Sequence, residues 1–137
     1  MEALKFKNPT FKPGLNLTVR LGRKWYDALR KAEAKDWIVK TLQTLSSNEP
    51  LPDYPPEFDK VRIDLADEND NAVGTGQVEL IRGTYFDSIP VHLLEFFHTG
   101  EYLSFDELYN MMKEWYGDEF EFGSEVTLIF FTVDQPA

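Results

Sequence analysis

Near its C-terminal end the chain carries the stretch Val126-Thr-Leu-Ile-Phe-Phe-Thr-Val133, which is almost continuously apolar. Most of its residues are β-branched or aromatic, and these residue types favour β-strands. A strand with one face in water alternates apolar and polar residues, whereas a strand covered on both faces lacks that alternation. The stretch therefore predicts a central strand that is buried on both faces, around which the other elements are arranged.

A second strand is predicted where apolar and polar residues alternate strictly, over residues 15–21. Leu and Val occupy the odd-numbered positions, and Asn16, Thr18 and Arg20 occupy the even-numbered ones. Strict alternation over this length is typical of a half-buried strand. We therefore expect one face of this strand to pack in a core and the other face to present a hydroxyl and a guanidinium.

The remaining elements complete a mixed α and β pattern. Alternation predicts strands over residues 61–65 and 74–81, which an acidic turn joins into a hairpin. Helices are predicted over 24–46, 91–98 and 105–116, the last with a Ser104 to Glu107 capping box, and a Pro-rich loop over 46–58. Because the strands do not alternate regularly with helices, we expect an α+β fold, a small and partly open mixed β-barrel with helices packed outside.

The charge of the chain is unevenly distributed. It has 24 acidic and 14 basic residues, a net charge of −10. Residues 1–40 contain ten basic and four acidic groups, a sum of +6, whereas residues 41–137 contain four basic and 20 acidic groups, a sum of −16. An acidic surface repels phosphates, so any contact with nucleic acid is expected to be local to the basic segment. The acidic segment could instead mimic nucleic acid and bind a basic protein partner.

Composition excludes several classes of protein. The 137 residues suit one domain, and the absence of Cys excludes a disulfide scaffold, a thiolate metal site and a cysteine nucleophile. The histidines, His92 and His98, are six residues apart and do not share a helical face, so no metal site is expected. No apolar stretch approaches 18 residues and the first residues lack a signal-peptide pattern, so we expect a cytoplasmic protein without a membrane span or cofactor.

The candidate binding residues lie on the polar face of the second strand and just after it. A hydroxyl and a planar guanidinium two residues apart suit a phosphate or a base edge. Cations beside aromatic residues then follow, a combination that binds single-stranded nucleic acid by charge and stacking. A carboxylate at Glu101, before the last helix, could act as a general base. The predicted ligand-binding residues are Asn16, Thr18, Arg20, Arg23, Lys24 and Trp25.

The stretch Gly14-Leu-Asn-Leu-Thr-Val-Arg20 resembles the first-strand motif of the ASCH domain family. The later Gly74-Thr-Gly-Gln-Val78 strand, Phe86-Asp-Ser-Ile-Pro90, the capped helix and the closing strand follow in the family's order. The resemblance covers about residues 12–133, with residues 24–58 as an insertion in a single domain over 1–137. It implies a PUA-like β-barrel with a cleft over the first strand, in which RNA, a nucleoside or a nucleotide is recognised.

The same resemblance carries an alternative, because some small bacterial members of the family are amidohydrolases that act on N4-acetylcytidine. It implies Thr18 and Glu101 as the catalytic residues if this chain is an enzyme. The family's lysine position, however, is Leu15 here, and a leucine cannot polarise a reacting centre. The main expectation is therefore a binding domain for RNA or a nucleotide, with the amidohydrolase and the acidic mimic as alternatives.

Overall fold

The computed structural model describes residues 3–7, 9–29, 61–99 and 103–134. Within them, five strands form one mixed sheet in the order β1-β3-β4-β5-β2, which curls into a half-barrel. Strand β1 pairs with β3 in parallel, and the other pairs are antiparallel. The α+β fold with a curled mixed sheet is thus as expected. The strands are β1 (Leu4–Phe6), β2 (Asn16–Leu21), β3 (Val61–Asp67), β4 (Ala72–Tyr85) and β5 (Glu125–Val133).

Two α-helices lie among the described residues. Helix α1 spans Lys24–Leu29 and helix α2 spans Phe105–Tyr116. At the start of α2 the hydroxyl of Ser104 accepts a hydrogen bond of 3.1 Å from the amide of Glu107, as the capping pattern predicts. The helix predicted over 91–98 is a 3-10 helix at Val91–Phe96. No helix in the described parts of the chain is long and apolar enough to cross a membrane.

Strand β5 is buried on both faces, which confirms the prediction made from its continuous apolar character. Val126, Leu128 and Phe130 belong to a first core that also contains buried residues of α2. Ile129 and Phe131 belong to a second core on the opposite face of the sheet. The sheet is therefore a layer between two cores, and β5 contributes side chains to each of them.

Strand β2 is also buried on both faces, so the prediction of a half-buried strand with an open polar face is wrong. Thr18 is 1% exposed and Arg20 8% exposed. They lie opposite Ile129 and Thr127 of β5, on the face of the sheet that forms the second core. The curl of the sheet brings Phe6 of β1 against this face, and the alternation in the sequence does not reveal that cover.

The hairpin turn between β3 and β4 is built on the side chain of Asp67. Its Oδ1 accepts hydrogen bonds of 2.9 Å from the backbone amides of Asn69 and Asn71, and its Oδ2 accepts one from the Asn71 amide group. These bonds lower the pKa of the Asp67 carboxyl, chiefly through the backbone of Asn71. The acidic turn is therefore a local hydrogen-bonded structure.

One strand of the fold is not predicted from the sequence, and the predictions for residues 30–60 are not tested by the structure. Strand β1 was not predicted, because three residues are too few for an alternation to be recognised. Helix α1 begins where the helix over 24–46 is predicted, and the rest of that prediction and the loop predicted over 46–58 lie outside the described residues. The first strand of the chain is thus an element that only the tertiary structure reveals.

Gly76 of β4 provides a test of the close packing between β4 and β5. A Cβ atom at this position would lie 2.6 Å from the backbone oxygen of Thr132 on β5. Relief of this contact requires the two paired strands to separate, so we expect Gly76→Ala to lower the free energy of unfolding by about 1–3 kcal/mol. Urea unfolding measures the change.

Gly123→Ala is the matched control, since nothing lies within 4 Å of a Cβ atom placed there. We expect its free energy of unfolding to stay within about 0.5 kcal/mol of the parent value. Equal stability of the Gly76→Ala and Gly123→Ala proteins would contradict the packing described for β4 and β5.

Candidate functional site

The polar side chains of β2 differ in how they are hydrogen-bonded. The amide group of Asn16 is engaged with the preceding segment: its Oδ1 accepts from the Lys12 backbone at 3.0 Å, and its Nδ2 donates to the carbonyls of Lys12 and Gly14. All these partners are backbone atoms. Asn16 therefore holds the approach to β2 in place, and its polar atoms are committed to that task.

Arg20 is a buried cation whose hydrogen bonding is incomplete. Its Nε donates to the hydroxyl of Thr18 at 3.2 Å, and its guanidinium carbon lies 4.8 Å from the centre of the Phe6 ring. Its Nη2 atom is buried and has no hydrogen-bond partner among the residues that the structure describes. Among the described residues no carboxylate pairs with it, and burial lowers the pKa of the guanidinium to about 10. A buried cation without a counter-ion is costly to maintain.

His98 follows the 3-10 helix and is fixed against the edge of β2. Its backbone amide donates to the carbonyl of Leu17 at 3.1 Å, and its ring is 1% exposed. The Nδ1 atom lies 3.1 Å from the carbonyl oxygen of Thr10. Because a carbonyl only accepts, Nδ1 carries the proton in the neutral ring. The other ring nitrogen, Nε2, is then an acceptor, and it too is buried without a partner in the described parts of the chain.

Arg20 and His98 share the ring of Phe6 as a neighbour. The His98 ring lies 4.9 Å from that ring, on which Arg20 also packs. The pKa of His98 is lowered to about 4: burial lowers it most, the charges of Arg20 and Lys12 also lower it, and the hydrogen bond to the carbonyl of Thr10 opposes the shift. We call these two side chains the Arg20–His98 pair. In it, Nη2 of Arg20 is a donor that lacks an acceptor, and Nε2 of His98 is an acceptor that lacks a donor.

An open concavity of about 1030 Å³ lies on the side of β3 and β4, and neither Arg20 nor His98 is among its lining residues. Phe11 belongs to both places, since it lines the concavity and its ring lies 6.0 Å from His98 and 5.0 Å from Phe6. The ammonium of Lys12, at the rim, donates to the carbonyl of Glu95. Other residues along the wall include Asp64, Val73, Thr75 and Asp134.

The cations predicted after β2 lie elsewhere. Arg23 is exposed, bonds to Glu125 at 3.2 Å and stacks on Tyr26, and the bond to Glu125 raises the pKa of its guanidinium. Lys24 is also exposed, with its ammonium 5.7 Å from the centre of the Trp25 ring. Trp25 itself is buried in the second core. Arg23 and Lys24 are thus exposed, unlike Arg20, whereas Trp25 belongs to the core on the face of the sheet where Arg20 lies.

Of the predicted catalytic pair, Thr18 is buried with its hydroxyl bonded to Arg20, and Glu101 lies outside the described residues. Leu15 is half-buried and packs against the first core. No group of three metal-ligating side chains occurs in the described part of the chain. The amidohydrolase alternative and the acidic mimic both stay predictions.

Sequence analysis missed His98, Phe6 and Phe11 as members of the site. In the sequence, His98 is a candidate only for a metal ligand, and its spacing of six residues from His92 does not favour that role. Nothing in the sequence marks Phe6 or Phe11, because their role depends on strand β1 returning to cover β2. The interior site is therefore a product of the sheet's curl.

The buried state of His98 predicts a loss of stability in acid. The unfolded ring takes up a proton near pH 6.5 and the folded ring near pH 4, so its contribution to stability is present above pH 6.5 and disappears as the pH falls toward 4. Between pH 7 and pH 4.5 this loss is about 2–3 kcal/mol. We expect His98→Phe to lose that much less stability than the parent over this range, measured by urea unfolding.

The exposed His92 provides the control, as His92→Gln is expected to keep the acid sensitivity of the parent. Carboxylates titrate over the same range in all three proteins, so the difference between the variants isolates the ring of His98. An acid sensitivity that is identical in the His98→Phe and His92→Gln proteins would show that His98 titrates normally in the folded state.

Comparison with known proteins identifies no relative: no family model, no curated protein and no solved structure matches this chain. The case for a function therefore depends on the chemistry of the residues described above, and above all on the unsatisfied Arg20–His98 pair.

Proposed function

We propose that this domain binds RNA or a nucleotide, with the guanidinium of Arg20 contacting a phosphate. The observation that carries the proposal is the buried Nη2 of Arg20, which has no hydrogen-bond partner and no carboxylate beside it among the described residues. Guanidinium groups match phosphate oxygens in geometry and charge. A phosphate would supply both the missing acceptor and the missing counter-charge.

The electrostatic surroundings of Arg20 support an anionic ligand. Arg20 and Lys12 both act on His98 as positive charges. This cluster of cations lies in a chain whose net charge is −10. An anion at this position escapes the repulsion that the acidic remainder of the surface exerts, because low-dielectric surroundings favour the nearest charges.

The size of the concavity that Phe11 lines favours a ligand larger than a phosphate alone. Its volume of about 1030 Å³ is at the upper end of the range of small-molecule sites, about 300–1,000 Å³. The ring of Phe11 offers a surface on which a base could stack, and Asp64 and Thr75 offer acceptors for amino or hydroxyl groups. A nucleoside is therefore compatible in size and chemistry with this concavity.

The substitution Arg20→Met tests the proposal, since it removes the charge and keeps much of the side-chain length. Hydrogen bonds to charged groups contribute about 1.5–3 kcal/mol, so we expect affinity for a short single-stranded RNA with a 5′-phosphate to fall about 10- to 100-fold. Titration calorimetry measures the affinity, and binding by the parent is expected to weaken as salt is added.

Two further measurements accompany this variant. Arg82→Met is the control, because Arg82 is exposed on β4, and it is expected to bind as the parent does. Without ligand, Arg20→Met is expected to be at least as stable to urea as the parent, since an uncompensated buried charge is removed. Equal RNA affinity of the Arg20→Met and Arg82→Met proteins would refute the proposal.

A further inference from the structure

We infer that the Arg20–His98 pair recognises a terminal phosphate monoester, as on a 5′-mononucleotide, and that one proton is taken up when it binds. The inference rests on the proposed function and narrows it. It names the chemical form of the phosphate and adds His98 as a ligand-binding residue. Its basis is that Nη2 of Arg20 is a buried donor without an acceptor, and Nε2 of His98 is a buried acceptor without a donor, among the described residues.

The hydrogen-bonding capacity of the pair favours a group that can both accept and donate. Arg20 Nη2 can only donate, whereas Nε2 of neutral His98 can only accept, because Nδ1 holds its proton toward the carbonyl of Thr10. A phosphate monoester loses its second proton near pH 6, so a bound monoester can keep that proton and share it with His98. A phosphodiester has no such proton and leaves the acceptor unsatisfied.

The burial of Arg20 and His98 also favours a phosphate monoester over a phosphodiester. Arg20 is 8% exposed and His98 1% exposed, so their free atoms lie below the surface. An internal phosphodiester has a nucleoside on each side and requires a site open in two directions. A terminal phosphate is attached on one side only, so in this proposal its nucleoside would occupy the concavity lined by Phe11, whose ring lies 6.0 Å from that of His98.

The charges around His98 determine the direction of proton transfer. Arg20 from β2 and Lys12 from the segment before it face the ring and both disfavour its protonation. Tyr116 on α2 acts electrostatically on Arg20, and Glu95 acts on Lys12, each raising the pKa of the cation. At close range the charge of a phosphate dianion has a larger effect on the protonation of His98 than the charges of Arg20 and Lys12. The complex therefore holds one proton more than the free protein and the free dianion. Above the second pKa of the phosphate this proton comes from solvent.

The experiment compares matched ligands on the full chain by titration calorimetry at about pH 7.5. One pair is a ribonucleoside 5′-monophosphate and its parent nucleoside, and the other is one short RNA with a 5′-phosphate or a 5′-hydroxyl. Inorganic phosphate is the fifth probe. We expect each phosphorylated member to bind at least about 10-fold more tightly than its partner, and inorganic phosphate to bind more weakly than the mononucleotide.

Proton uptake is measured in two buffers of different ionisation enthalpy. We expect close to one proton to be taken up per mononucleotide bound at this pH, and the affinity to rise as the pH is lowered toward 6. His98→Phe is expected to abolish the uptake and weaken the binding, whereas His92→Gln is expected to retain both. The comparison of ligands on the parent protein stands even if a variant fails to fold.

Each contrary outcome has a distinct meaning. If the 5′-hydroxyl RNA binds as tightly as the phosphorylated RNA and both depend on Arg20, the proposed function stands and the choice of a monoester is wrong. If the mononucleotide binds without proton uptake, the role of His98 is wrong. If inorganic phosphate binds as tightly as the mononucleotide, the nucleoside is not recognised. If none of the probes binds, both proposals fail, and a buried water between Arg20 and His98 is the remaining explanation.

Discussion

The burial of both faces of β5 is the constraint on which the rest of the structure depends. A strand with apolar side chains on both sides needs a core on each side, and in the described part of the chain one sheet takes part in both cores. Helix α2 and the 3-10 helix at Val91–Phe96 cover one face, while α1 and β1 cover the other. The curl of the sheet is what lets β1, at the far edge, approach β2.

With β1 packed into the second core, the polar side chains of β2 are buried: Asn16 is 0%, Thr18 1% and Arg20 8% exposed. Asn16 satisfies its amide on nearby backbone atoms, whereas Arg20 keeps one nitrogen without a partner. Removal of a guanidinium from water is unfavourable unless something takes the place of the water. The incomplete hydrogen bonding of buried Arg20 is therefore the observation on which the proposal of an anionic ligand depends.

The elements with strong local patterns could be predicted from the sequence, and the site could not. The continuous apolar run of β5 and the Ser104 cap of α2 depend on neighbouring residues only, so their prediction is confirmed. For β2 the alternation correctly gave a strand, but which faces are covered depends on β1, whose partner β3 is distant in the sequence. Arg20 was a predicted ligand-binding residue, and that role stays a prediction. The neighbours that define its surroundings, Phe6 and His98, are contributed by other parts of the chain.

The short parallel strand β1 couples the hydration of Arg20 to the local stability of the fold. Three residues of β1 pair with β3, and Phe6 among them lies against the guanidinium. Whenever β1 detaches, Arg20 regains water, so the unfavourable burial of the cation lowers the free energy of that local opening. By linkage, any group that satisfies Arg20 must strengthen the attachment of β1 to the same extent. If a ligand binds Arg20 as proposed, amide hydrogen exchange of β1 is therefore expected to slow, although Phe6 of β1 precedes Arg20 by 14 residues in the sequence.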